Sequence, residues 1–82
     1  MISKISSTPT SLQYCVDRGL AQLQLTQREE EISRYVLKGL SNLDIANLLS
    51  ISEKTVKQYM TQIFEKADVS SRSEFFSFVF PT

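Results

Sequence analysis

Four segments of this chain open with a hydroxyl residue three positions ahead of an acid or a second hydroxyl: Thr26 before Glu29, Ser41 before Asp44, Ser52 before Thr55 and Ser71 before Glu74. A hydroxyl oxygen in that position can accept the backbone N–H three residues on. An acid there can reach back to the N–H of the capping residue. Starts this closely spaced permit only short helices. No segment alternates polar and apolar residues as a half-buried strand does. The chain is therefore expected to be all-α.

The apolar positions fill in the helices. Ile32, Tyr35 and Val36 lie one turn apart and predict a helix from about Thr26 to Lys38, closed by a left-handed Gly39. Ile45, Ala46, Leu48 and Leu49 predict a second, from Ser41 to Leu49, that sits in the core. Ser50 and Ile51 form a short link to a third, Ser52–Ala67, whose inward face is Val56, Met60, Ile63 and Ala67. Asp68, Val69 and Ser70 form a turn. A fourth helix runs from Ser71 to about Phe80 and ends before Pro81. Ahead of these, Leu12, Cys15, Val16, Leu20 and Leu23 keep helical spacing, although Gly19 weakens the helix. Thr8 and Pro9 suit a helix start. Residues 1–10 are expected to be mobile, 11–24 to form a packing helix or extension, and 25–82 to form the main domain.

With 82 residues and 41% apolar content, the chain has room for one small core. No apolar run has membrane-spanning length, and the first residues lack the apolar stretch of a signal peptide. A cytoplasmic, nucleoid-associated protein is expected. The single Cys15 cannot form an internal disulfide and reads as a small apolar residue. There is no His. The usual nitrogen and sulfur metal sites and the commonest general base are thus missing, so neither metal nor cofactor is expected. Tyr14, Tyr35 and Tyr59 could join carboxylates in acid–base work, but no spacing singles out a pair, which weighs against an enzyme. Formal net charge is zero. Many DNA-binding domains are basic, so what matters is the local patch: Lys54, Lys57, Lys66 and Arg72 are separated from Glu29, Glu30 and Glu31.

Two short helices joined by a brief link are the geometry of a helix-turn-helix, in which the first helix braces and the second enters the major groove. Ser41–Leu49 would brace and Ser52–Ala67 would read. Lys54, Gln58, Thr61 and Glu65 recur on the polar side of the reader, with Lys57 beside them. They supply cations for phosphate and an amide able to pair with adenine at two points. Any amphipathic helix has a solvated face, so the pattern alone does not decide the matter.

The segment from Leu25 to Arg72 decides more. It carries Leu25, Thr26, Arg28, Glu29, Glu31 and Ile32, then Gly39, Ser41, Asn42, Ile45, Ala46, Leu49, Ile51, Ser52, Thr55, Val56 and Lys57, then Ile63, Lys66, Val69, Ser71 and Arg72. In this it resembles the LuxR/GerE-type DNA-binding domain. The resemblance implies a four-helix helix-turn-helix domain, here with an additional N-terminal helix, in a transcription regulator that binds double-stranded DNA. It implies base-edge contacts from Lys57, Gln58 and Thr61, and phosphate contacts from Lys54, Thr55, Asn42 and Lys66. It also implies a dimer contact on the last helix, where Phe75, Phe76, Phe78 and Val79 fall. The partner would be a second copy or a related regulator.

The chain departs from the family pattern at Leu43, where a Lys is common, and at Tyr59, Thr61, Gln62 and Ala67. A missing cation weakens the phosphate grip, so modest monomer affinity and reliance on a partner are expected. Only about 24 residues precede the motif, too few for a receiver or ligand-binding domain. A free-standing regulator is the leading expectation. The alternative is a small interaction protein that pairs with a larger relative, with weak DNA binding of its own. The N-terminal helix of the same chain could also cover the aromatic last helix, and the two arrangements are not exclusive.

Overall fold

The computed structural model describes residues 7–81, with side chains from Leu12 onward. The described residues form five helices: α1 Ser7–Ala21, α2 Gln27–Leu37, α3 Asn42–Leu49, α4 Glu53–Ala67 and α5 Arg72–Val79. No strand occurs among them.

Each helix of the main domain starts where its hydroxyl predicts. Thr26 and Ser41 form complete capping boxes with Glu29 and Asp44. Ser52 accepts the Thr55 N–H at 3.0 Å, and its hydroxyl also meets that of Thr55 at 2.8 Å. At α5, Ser71 accepts the Glu74 N–H, but the returning carboxylate takes the N–H of Ser70 at 2.7 Å rather than that of Ser71. The exits of α2, α3 and α4 share one device. Gly39, Ser50 and Asp68 each turn left-handed, and the next residue's N–H reaches back five positions: Leu40 to Tyr35, Ile51 to Ala46, Val69 to Phe64. An apolar residue thus tucks under each helix end. Only Gly39 takes this conformation without steric cost.

α2, α3 and α4 pack around Ile32, Val36, Ile45, Val56 and Ile63, all fully buried. The expectation that α3 sits in the core holds for one of its faces. Ile45 and Ala46 are buried, but Leu48 is 57% exposed and Leu43 55%. A helix of 8 residues presents one face to α2 and α4, and these two leucines fall on either flank of it.

α1 begins at Ser7, so the expected mobile stretch 1–10 overlaps the helix, and residues 1–6 lie outside the described residues. Pro9 sits in the first turn, where a missing N–H breaks no helical bond. The helix stops at Ala21, and Leu23 packs from the turn that follows rather than from the helix itself. Of the predicted stripe, Leu20 and Leu23 are buried while Leu12 is 65% exposed, so only the C-terminal half of α1 is docked. Arg34 of α2 ties it down. One guanidinium nitrogen lies 2.8 Å from Asp17 and 2.9 Å from Glu30. That bond to Arg34, helped by Gln13, holds the Asp17 carboxyl below its ordinary range.

The docked half of α1 covers α5, the internal cover that the sequence offered beside a dimer contact. Phe75 is fully buried, its ring 5.6 Å from that of Phe64, and Val79 is buried against Gly19. Phe76 and Phe78 are half-buried. The exposed side of α5 carries Ser73, Glu74 and Ser77 instead. A short helix rich in apolar residues finds its cover within the chain, because leaving those rings in water is costly.

Gly19 lies mid-helix, where an added Cβ would meet Val79 atoms at 3.5–3.6 Å, an ordinary contact distance. Gly19→Ala is expected to stabilise the fold by about 0.5–1 kcal/mol through helix propensity. A raised urea midpoint checks this. A lowered one would mean that α1 cannot yield the space.

Candidate nucleic-acid interface

α3 and α4 are separated by Ser50, Ile51 and Ser52 alone. The N–H groups of Ser50 and Ile51 both close on the Ala46 carbonyl, which fixes the bend. The inward face of α4 is Val56, Met60, Ile63 and Ala67, all buried. Helical spacing then places Lys54, Gln58, Thr61 and Glu65 on the opposite side, with Lys57 flanking. All five are exposed. The three residues expected to meet base edges are therefore brought together on one solvent-facing side of one helix.

Lys54 and Lys57 have no carboxylate within 4.0 Å among the described residues. Thr55 sits half-buried in the first turn, its hydroxyl held by Ser52. Thr61 is exposed, and its hydroxyl donates to the Lys57 carbonyl at 3.1 Å. Asn42 opens α3, and its Oδ1 accepts from Arg72 at 2.8 Å. The Asn42 amide N–H groups make no hydrogen bond among the described residues.

Two cations of the expected patch are engaged elsewhere. Lys66 lies nine positions beyond Lys57, about 13 Å along the axis at about 1.5 Å per residue. Its Nζ donates to Glu29 Oε1 at 2.6 Å and to the Gln24 carbonyl at 3.4 Å. It ties the end of α4 to the start of α2, which engages in the fold a side chain expected to meet phosphate. Glu29 is buried, and the Lys66 ammonium holds its carboxyl below the usual range, against the opposing effect of burial. Arg72 braces α5 against the α2–α3 turn, donating to the Leu40 carbonyl at 3.1 Å and to Asn42. These struts were missed because a cation in sequence shows its charge but not its partner. The one available signal was Glu29 itself, a capping acid whose carboxylate can accept more than its one cap bond.

The sequence from 23 to 79 matches the family model described as bacterial regulatory proteins, luxR family. The chain belongs to that family, whose members are regulators rather than enzymes. It is 31% identical over 75 residues to the probable transcriptional regulator ycf29 of Guillardia theta, an alignment covering 92% of this chain and 36% of that protein. It is 37% identical over 73 residues to the transcriptional regulatory protein LiaR of Bacillus subtilis, covering 88% of this chain and 35% of LiaR. With the DNA-binding transcriptional activator EvgA of Escherichia coli it shares 37% over 54 residues, 66% of this chain and 26% of EvgA. The chain thus spans about a third or less of the length of these relatives. No solved structure is significantly similar to it. No helix among the described residues is long and apolar enough to cross a membrane.

Proposed function

We propose that this chain is the DNA-reading module of a transcription regulator, binding double-stranded DNA sequence-selectively with α4 in the major groove. One observation carries the reading. Lys57, Gln58 and Thr61 stand exposed on the free side of a helix whose other side is locked into the core, a short turn away from α3. The three face base edges. Lys54, Thr55 and the Asn42 amide meet phosphate, helped by the open N–H groups at the start of α4. Two modules occupy neighbouring half-sites, as a homodimer or with a related regulator, in the cytoplasm at the nucleoid. Phe75 and Val79 are not available for that pairing, whereas the edges of Phe76 and Phe78 are.

A second reading, a module that pairs with a larger regulator and binds DNA weakly itself, is favoured by one observation. Leu43 and Leu48 are exposed beside an interface that offers only Lys54 and Lys57 as unpaired cations.

The salt dependence of binding separates the two. For a duplex selected from random sequence, Lys54→Ala with Lys57→Ala is expected to lower the slope of log K against log salt by about two. Lys66→Ala is expected to leave the slope unchanged. Fluorescence anisotropy at several salt concentrations measures both. Direct binding that loses slope only on removal of Lys66, or no direct binding, contradicts the groove assignment.

A further inference from the structure

Thr61 stands out on the reading face because its hydroxyl proton is already used. It donates to the Lys57 carbonyl one turn back at 3.1 Å, a local bond that Thr makes readily in helices. What the side chain can still offer outward is a methyl group and oxygen lone pairs. Most major-groove positions are acceptors: N7 and O6 of guanine, N7 of adenine, O4 of thymine. They repel a lone pair and gain nothing from a methyl. The thymine C5-methyl is the groove feature that matches a methyl group.

Gln58 lies three positions earlier on the same exposed side. Its amide matches adenine N6 and N7. Three residues advance the helix by about 4.5 Å, close to the roughly 3.4 Å step between base pairs. The two side chains are thus spaced to meet neighbouring base pairs, and each by its own chemistry favours A·T.

We infer that Thr61 is a specificity-determining residue that selects thymine through methyl–methyl contact, next to an adenine read by Gln58. This rests on the groove reading proposed above. The experiment begins with selection of the 82-residue chain on random-sequence duplexes. Each thymine of the enriched site is then replaced singly by deoxyuridine, which removes only the C5-methyl. One position should weaken roughly fourfold, the worth of one buried carbon group. That discrimination should vanish in Thr61→Ser, which keeps the hydroxyl, and persist in Thr61→Val, which keeps the methyl. The inference is overturned if no thymine is sensitive, or if Thr61→Ser discriminates as the parent does. It is also overturned if Thr61→Val loses binding at a cytosine, which would make Thr61 an acceptor. A library that enriches no sequence overturns the groove reading together with this inference.

Discussion

Phe75→Ala is expected to cost about 3–5 kcal/mol of folding stability, by the same amount at any protein concentration. The ring is fully buried among residues of its own chain and packs on Phe64 at 5.6 Å. Its removal leaves a void between α5, α4 and α1 that a short helix can fill only by shifting. Small domains hold about 5–15 kcal/mol in total, so the loss is a large share of the fold. Urea unfolding at two concentrations differing a hundredfold distinguishes this from an interface role. A residue at a dimer contact would show an effect that changes on dilution, whereas the effect of a core residue stays the same.

The second large effect concerns Glu29 and Lys66. The Glu29 side chain is 5% exposed and that of Lys66 is 36%, with 2.6 Å between their charged atoms. The same Glu29 oxygen accepts the Thr26 N–H at 2.9 Å, so a single carboxylate caps α2 and anchors the end of α4. Breaking a fully buried pair costs about 3–5 kcal/mol. Water at Lys66 reduces this, and about 1–2 kcal/mol is expected for Glu29→Gln at neutral pH. Lys66→Met should cost more than Glu29→Gln, because it leaves the charge buried and unanswered. Because folding lowers the Glu29 pKa, its contribution is complete above the unfolded carboxyl value. It is lost as the pH falls through the lower folded value. Urea midpoints measured from neutral to acidic pH should fall on the acid side in the parent and fall less in Glu29→Gln. Parallel curves would show that the pair contributes nothing.

Helix starts were legible in the chain because a cap is a local event. The hydroxyls of Thr26, Ser41, Ser52 and Ser71 bond within three residues of themselves, and no distant group is needed to place them. The inward face of α4 was legible for the same reason, since Val56, Met60, Ile63 and Ala67 repeat with the helix. What spacing could not show was which of several apolar sides meets a neighbour. Leu48 and Leu12 fit helical stripes as well as Ile45 and Leu20 do, yet only the latter pair lies under another helix. On α5, aromatic residues occur on several sides, and the outcome depended on where α1 docks, which no local pattern encodes. Ser33 is a further instance: a polar residue in α2, it is fully buried, and its hydroxyl has no partner. Lys66 and Arg72 kept the sign of their charge but not their availability. Each meets a partner thirty or more positions away in sequence. The exposed face of α4 was therefore readable in the sequence, and the long-range ion pairs and hydrogen bonds that engage Lys66 and Arg72 were not.

Backbone amide shifts of the labelled chain, followed as a selected duplex is titrated in, bear most directly on where nucleic acid sits. The expected result is a contiguous set of perturbed amides from Ser41 to Leu43 and from Ser52 to Gln62, with Lys57, Gln58 and Thr61 among the largest. Shifts concentrated instead on α1 and α5, with α4 silent, would contradict the placement of that helix in the groove.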